Sequence, residues 1–326
     1  MSETLACWVR ACVVLASLSS LSAIAQSTWP NKPIRFIVPY TPGGGTDTVT
    51  RQIAERITND TKWVFVVDNK PGGGGNIGLD LVAKARPDGY TLGMGQTANL
   101  AINPAVLPKM PFDPLKDLVP VALVAEIPLL LVVRANSPWE NLTDMVKTAK
   151  AKPGEIRQAL AGTGTVGHLA GEMLGRRAGF SVLNVPYKGA APALTDLLGG
   201  QTDYMFATPQ AVLGMLQGGK LRALAVTSVK RVAVLSGVPT VAEQGYPGFD
   251  VVDWKVIVAP TGTPPDMVKR LNAATARALT QPALLAKLAD EGSNPMSGDP
   301  EAVAQYIKAQ QADWGALIRE AGIRFE

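Results

Sequence analysis

The chain has 326 residues, of which 47% are apolar and 18% are charged, and its formal net charge is +4. A composition this apolar can form a large core, which excludes disordered, collagen-like and acidic-tail proteins, and the length is typical of about two domains. The positive charge is spread thinly, without a run of Lys or Arg, so nucleic acid is not expected to be a partner.

The first 25 residues have the pattern of an export leader. Arg10 precedes an apolar stretch rich in small residues, and Ala23 and Ala25 form the A-x-A pattern that signal peptidase cuts. The stretch is shorter than the roughly 20 residues that a helix needs to cross a bilayer. We therefore predict cleavage after Ala25, a mature chain that begins at Gln26, and export to the periplasm.

Short β-branched runs then alternate with amphipathic stretches, which favours an α/β fold with mostly parallel sheets. The predicted strands are residues 34–38, 63–68, 90–94, 129–133, 157–161, 182–185, 204–207, 221–227 and 255–259. Helical periods lie between them, for example Ile77, Leu81 and Ala85. Helices dominate after Pro264, and the last one has an apolar face that includes Trp314.

Two segments, 125–128 and 248–253, are typical of crossings between domains. If both are crossings, residues 26–126 and 250–326 together form one lobe and residues 127–249 form the other. Two strands would then connect the lobes as a hinge. The alternative is one large doubly wound domain.

Three predicted strand-to-helix turns are rich in glycine. The first contains Tyr40, Thr41, Gly43, Gly44, Gly45 and Asp47. Glycines let backbone N–H groups converge, and a helix start carries unpaired donors and about half a positive charge. With Thr46 or Asp47 as the cap, this turn can hold a carboxylate or a phosphate without an arginine. The alternative is a tight turn without a ligand.

The second turn, 71–78, and the third, 162–167, both fit the spacing G-x-G-x-x-G. A dinucleotide site also needs an acidic residue about 20 positions further on, and neither turn has one. No nicotinamide cofactor is therefore expected. Residues 214–220 spell GxxxxGK but continue with Leu221, where a phosphate-binding loop needs Ser or Thr, so this segment is interpreted as a turn.

Side chains for catalysis are few. His168 is the only histidine, and both cysteines, Cys7 and Cys12, lie in the predicted leader. These counts argue against a histidine-rich zinc site, a thiolate site and a cysteine nucleophile, and there is no G-x-S-x-G elbow. His168 begins a predicted helix, where it can face a ligand or serve as a packed or capping residue. A hydrolase or lyase that uses Asp47 and Asp203 stays as an alternative.

The segment 29–51, with its KPIRFIVPY strand and three consecutive glycines, resembles the start of the Bug family, the extracytoplasmic solute receptors of tripartite tricarboxylate transporters. NLAINP at 99–104, GTGTVGHLAGE at 162–172 and VPYKGAAPALTDLLGGQTDY at 185–204 are similar to further signatures of that family. The resemblance implies a two-lobed, flytrap-like periplasmic binding protein. Such a protein captures a small organic carboxylate and presents it to a membrane permease, as a monomer without catalysis, cofactor or metal.

The resemblance also implies which residues form the site. Residues 40–47 hold one ligand carboxylate, mainly through backbone donors and ordered waters. The second lobe contributes Thr163, Gly164, Thr165, His168, Tyr187, Gly189 and Ala190. Tyr187 and Phe206 can shape the pocket around the body of the ligand, although a core position is favoured for Phe206. A sensory receptor of the same fold, which signals to a membrane kinase, is the alternative function.

Overall fold

Two mixed β-sheets carry the fold of the residues that the structure describes. The computed structural model describes residues 29–107, 109–320 and 322–323. Residues 33–326 form one compact unit, to which every feature below belongs. The predicted leader and its cleavage after Ala25 lie outside the described residues.

The strands follow the alternation that the sequence predicts. They are β1 (Ile34–Val38), β2 (Phe65–Asn69), β3 (Thr91–Gln96), β4 (Leu118–Pro128), β5 (Leu130–Arg134), β6 (Arg157–Leu160), β7 (Leu183–Pro186), β8 (Tyr204–Ala207), β9 (Leu221–Val226), β10 (Val252–Pro260) and β11 (Asn294–Pro295). The first sheet has the order β11-β4-β10-β3-β1-β2, and the second has the order β7-β6-β8-β5-β9. We call the part built on the first sheet the first lobe and the part built on the second sheet the second lobe.

The two-lobed α/β class is confirmed, but the expectation of mostly parallel sheets is wrong. β1 is parallel to β2 and β3, and β6 is parallel to β7 and β8. β10 is antiparallel to β3 and β4, and β5 is antiparallel to β8 and β9. The reason is that the chain leaves the first sheet along β4 and returns along β10, so these two neighbours run in opposite directions.

The two connections between the sheets are hydrogen-bonded to each other. The chain passes from β4 to β5 at Leu129 and returns to β10 after Val251. The amide of Leu129 donates to Thr227 Oγ1 at 2.8 Å, and the amide of Thr227 donates to the Leu129 carbonyl at 2.9 Å. Thr227 Oγ1 also lies within hydrogen-bond distance of the Val251 carbonyl. Thr227 therefore ties both connections together at one point.

The main helices lie between the strands in the chain, and the last of them follows β11. They are α1 (Gly45–Thr61), α2 (Asn76–Ala83), α3 (Leu142–Ala151), α4 (Val166–Ala178), α5 (Ala190–Leu198), α6 (Pro209–Gln217), α7 (Pro265–Ala278), α8 (Pro282–Asp290) and α9 (Pro300–Glu320). Trp314 of α9 is buried, as the sequence predicts. Within the described part of the chain, none of the helices combines the length and apolarity that a bilayer crossing requires.

The buried face of α2 differs from the predicted one. The sequence pattern indicated an apolar stripe through Ile77 and Leu81, but these side chains are 53% and 41% exposed. Leu79 and Val82 are buried instead. The short helix α2 has apolar residues on two faces, and the face that becomes buried is the one that the neighbouring strands cover.

Candidate functional site

Four helices begin at the wall of one cavity between the lobes. α1 begins there from the first lobe, after Gly44, and α4, α5 and α6 begin there from the second lobe, after Thr165, Gly189 and Thr208. The cavity has a volume of about 60 Å³, and an N-cap or first-turn residue of each helix lines it. Each helix follows the carboxyl end of a strand, and ligands of α/β proteins bind at this end of the strands.

Three of these helix starts have no side-chain cap. Gly44, Gly189 and Thr208 make no capping side-chain hydrogen bond to the helices that they precede. In α4, by contrast, Thr165 Oγ1 accepts a hydrogen bond from the amide of His168 at 3.4 Å. Uncapped backbone donors and the positive ends of helix dipoles therefore converge on the cavity, an arrangement that stabilises a bound anion.

Asp47 braces the first glycine turn from inside the first lobe. Its Oδ2 accepts from the Gly43 amide at 3.0 Å, Arg51 Nε donates to both carboxylate oxygens at 3.0 Å, and Asn69 Nδ2 donates to Oδ1 at 2.9 Å. Burial by itself would raise the pKa of this carboxyl group, but the hydrogen bonds from Arg51, Gly43 and Asn69 outweigh burial and lower it. Asp47 is therefore a carboxylate that shapes the turn, and it does not line the cavity.

Tyr40 connects the first glycine turn to the second. Its side chain is buried on the cavity wall, and its hydroxyl donates to the carbonyl of Gly74 at 2.7 Å. Burial, followed by the nearby charge of Asp253, raises the pKa of Tyr40 well above its ordinary value. The hydroxyl therefore stays protonated and acts as a donor that holds the second turn against the first.

The lobes are closed upon each other around the cavity. A Cβ atom built at Gly44 would lie 3.8 Å from Ala190 Cβ, and one built at Gly45 would lie 2.5 Å from Thr208 Oγ1. Gln210 Nε2 of the second lobe donates to Ser293 Oγ of the first. There is therefore no room for a side chain at Gly45 where the first turn meets α6, whereas a Cβ atom at Gly44 would make an ordinary van der Waals contact with α5.

The third glycine turn also packs across the gap between the lobes. Gly164 has φ +75°, a left-handed conformation that favours glycine, and a Cβ atom there would overlap Asn103 Oδ1 of the first lobe. Thr163 contacts the second turn, because a Cβ at Gly74 would overlap its carbonyl oxygen. Two turns of the first lobe therefore face three helix starts of the second lobe.

His168 lies behind the third turn and not on the cavity wall. Its ring is buried, and Nδ1 accepts a hydrogen bond from the Gly164 amide at 3.3 Å. Nε2 lies 3.1 Å from Asn184 Nδ2 and 3.9 Å from Glu172 Oε1. Burial lowers the pKa of His168 to about 4, so the ring is neutral at pH 7 and positions the turn.

The low pKa of His168 makes the free energy of unfolding depend on pH. The unfolded chain binds a proton near pH 6.5 and the folded chain only near pH 4, so the stabilisation is complete above about pH 7 and is lost as the pH falls towards 4. We expect this loss to be about 3 kcal/mol in urea unfolding between pH 7.5 and 4. His168→Asn, which keeps an acceptor for the Gly164 amide, should lose about 3 kcal/mol less over the same range. Identical pH profiles for the two proteins would contradict a buried neutral imidazole.

The other predicted site residues fall into three groups. Tyr40, Gly44, Gly45, Thr165 and Ala190 line the cavity. Thr163 and Tyr187 line a separate, wider cleft of about 600 Å³, where the Tyr187 hydroxyl donates to Asp196 Oδ2 at 2.7 Å. Thr41, Gly43, Asp47, Gly164, His168 and Gly189 support the walls without lining the cavity. Phe206, for which the core was favoured, is buried and also lies on the wall.

The sequence reasoning missed a buried polar cluster that lines the cavity from the first lobe. Lys255 Nζ lies 2.6 Å from Gln96 Oε1 and forms an ion pair with Asp253 Oδ2. Thr46 Oγ1 donates to the same Gln96 oxygen at 2.6 Å. The signal that could have found the cluster is the pair of opposite charges, two residues apart, in the apolar strand β10, because strand residues at this spacing share one face.

Lys255 is the one cation among the residues that line the cavity in the described structure. Its side chain is 1% exposed, and burial lowers its pKa, while the negative charge of Asp253 acts in the opposite direction. The cation and its partner cancel in formal charge. The positive potential that remains at the wall therefore comes mainly from helix starts.

The fold and the cavity define the class of the protein. Two α/β lobes that are joined by two connections and close on a cavity between them form a flytrap-type binding protein. The chain matches the family "Tripartite tricarboxylate transporter family receptor" over residues 49–323. The chain belongs to this family of solute-binding receptors, which are not enzymes.

Solved structures agree with this assignment. The periplasmic binding protein BugD has 34% identity and a TM-score of 0.87, covering 91% of this chain and 100% of its own. Rpa4515 of R. palustris, solved with adipate, has 36% identity and a TM-score of 0.88 over 91% of this chain and 99% of its own. MatC from Rhodopseudomonas palustris, solved with malate, has 33% identity and a TM-score of 0.84 over 89% of this chain and 100% of its own. The predicted resemblance to the Bug family is confirmed.

Proposed function

We propose that this protein captures a small organic carboxylate in the periplasm and delivers it to the membrane permease of a tripartite tricarboxylate transporter. The observation that carries the proposal is the convergence of four helix starts, three of them without a side-chain cap, on one cavity between the lobes. Two relatives bind adipate and malate, which are both carboxylates. Anion binding by backbone donors needs no arginine, and no arginine lines this cavity in the described residues.

The proposed binding mode assigns different tasks to the two groups of predicted residues. Backbone donors at the starts of α1 and α5, near Gly45 and Ala190, hold the ligand carboxylate from opposite lobes. Asp47 and His168 hold the turns in place without touching the ligand. Closure excludes water and strengthens the hydrogen bonds, and the ligand favours the closed state by its higher affinity for it.

The lobe boundaries and the cellular setting belong to the same proposal. Residues 26–126 with 250–326 form one lobe, residues 127–249 form the other, and the pair of connections held by Thr227 acts as the hinge. The leader directs export and is removed after Ala25, and the mature protein acts as a monomer.

A panel of carboxylates tests ligand capture. Protein freed of ligand by unfolding and refolding is heated with mono- and dicarboxylic acids, including acidic amino acids and aromatic acids. At a ligand concentration of 100 Kd the stabilisation is about 2.7 kcal/mol, which raises the Tm by several degrees. The amides of the same acids serve as controls and should leave the Tm unchanged. A Tm that no acid raises would contradict the proposal.

Delivery needs a separate test with the permease reconstituted in vesicles. Uptake of the acid that the panel identifies should require this protein on the outside of the vesicles. Uptake at the same rate without the protein would remove the transport role and leave only ligand binding.

A further inference from the structure

One carboxylate oxygen on the cavity wall has no hydrogen-bond partner among the residues that the structure describes. Asp253 lines the cavity with its side chain 5% exposed, and Oδ2 is paired with Lys255. The other oxygen, Oδ1, is buried and receives no hydrogen bond from the described residues. An unsatisfied buried acceptor is costly, and more so when it belongs to a charged group.

A negative group is unexpected in a site for anions. A ligand with only carboxylate and hydrocarbon groups would bring like charge towards Asp253 and leave Oδ1 without a donor. A ligand that carries an O–H or N–H group beside its carboxylate would instead donate to Oδ1. Lys255 can serve the carboxylate of the same ligand, because its ammonium has three N–H donors and Gln96 and Asp253 account for two.

We infer that Asp253 and Lys255 determine the specificity of the site. Lys255 binds the ligand carboxylate and Asp253 accepts a hydrogen bond from an adjacent donor, so the ligand is a small hydroxy acid or amino acid. The inference rests on the proposed carboxylate-binding function and specifies its substrate class.

Acids with one skeleton and different substituents test the inference on the wild-type protein. Succinate, malate and aspartate differ by a hydrogen atom, a hydroxyl group and an ammonium group at one carbon, and propanoate, lactate and alanine form a three-carbon set. Calorimetric titration should give malate or aspartate, or lactate or alanine, an affinity at least about tenfold higher than that of the unsubstituted acid. The hydroxy and amino members of each set identify which donor is read.

The outcomes separate the inference from the function on which it rests. If unsubstituted acids bind as tightly as their hydroxy and amino analogues, the inference is wrong and carboxylate binding stands. If no acid in any class binds, both the proposed function and the inference are wrong.

A double variant assigns the discrimination to the two residues. Asp253→Ala with Lys255→Met removes the acceptor without leaving a lone buried charge, and the preference for the substituted acid should fall to about onefold. Asp203→Asn is the matched control, because Asp203 forms an ion pair with Arg157 and does not line the cavity. That variant should keep the wild-type preference. A preference that survives in the double variant would overturn the assignment, and if the double variant does not fold, the wild-type titrations decide alone.

Discussion

Replacing Gly45 with alanine is expected to weaken carboxylate binding by at least about a hundredfold. A Cβ atom at this position would lie 2.5 Å from Thr208 Oγ1 and 3.0 Å from Thr208 Cβ, across the gap between the lobes. The methyl group does not disturb the first lobe, because Gly45 begins α1 with a backbone conformation that alanine adopts. The variant should therefore fold normally and fail to close, which calorimetric titration and the Tm of the ligand-free protein measure together.

Two further variants test whether closure is the cause. Thr208→Gly added to Gly45→Ala removes the opposing side chain and should recover most of the affinity. Gly214→Ala, in the interior of α6 with open space around it, should leave the affinity unchanged and raise the stability slightly. Wild-type affinity in Gly45→Ala would show that ligand binding does not use the closed arrangement.

Lys255→Met is expected to lower the free energy of unfolding by about 3–5 kcal/mol. The loss arises because Asp253 would keep a buried negative charge without its partner, and both side chains are almost fully buried. Adding Asp253→Ala removes that charge and should restore most of the stability, although the ion pair is then absent. Urea unfolding of the wild-type protein, the single variant and the double variant gives the three values.

An exposed ion pair supplies the control for this series. Lys84 and Asp80 lie one turn apart on the surface of the first lobe, and the Lys84 side chain is 68% exposed. Lys84→Met should change the free energy of unfolding by less than about 1 kcal/mol. If Lys84→Met and Lys255→Met lower the free energy of unfolding equally, burial does not make the Asp253–Lys255 pair more sensitive to loss of its cation than an exposed pair.

Local patterns were sufficient for the strands and the glycine turns. All nine predicted strands occur, with ends within three residues of the prediction, because each is a short β-branched run bounded by turn residues. No predicted strand covers β4, whose last residues were predicted as a crossing between domains, since its apolar run contains Pro120 and Pro128 and shows no alternation. β10 pairs with it from Leu118 to Pro128, and β11 pairs with Ala125 and Glu126, so pairing in the sheet overrides the weak local signal.

The complete buried polar cluster that lines the cavity could not be predicted from short stretches of sequence. Gln96 precedes Asp253 and Lys255 by more than 150 positions in the chain, and the antiparallel register of β3 and β10 brings Gln96 opposite Lys255. His168 shows the converse case. The sequence left open whether it faces a ligand, and the burial of its ring behind Gly164 places it among the supporting residues.

The amino-acid sequence was enough to predict a two-lobed α/β protein of a solute-receptor family, with glycine-rich helix starts suited to an anion. These properties depend on residues that are neighbours in the chain, such as a strand, its glycine turn and the helix that follows. The three-dimensional structure was needed to show which helix starts share one cavity, which side chains support its wall and that Asp253 and Lys255 line it. Those features depend on strand register and lobe closure, which bring together residues from distant parts of the chain.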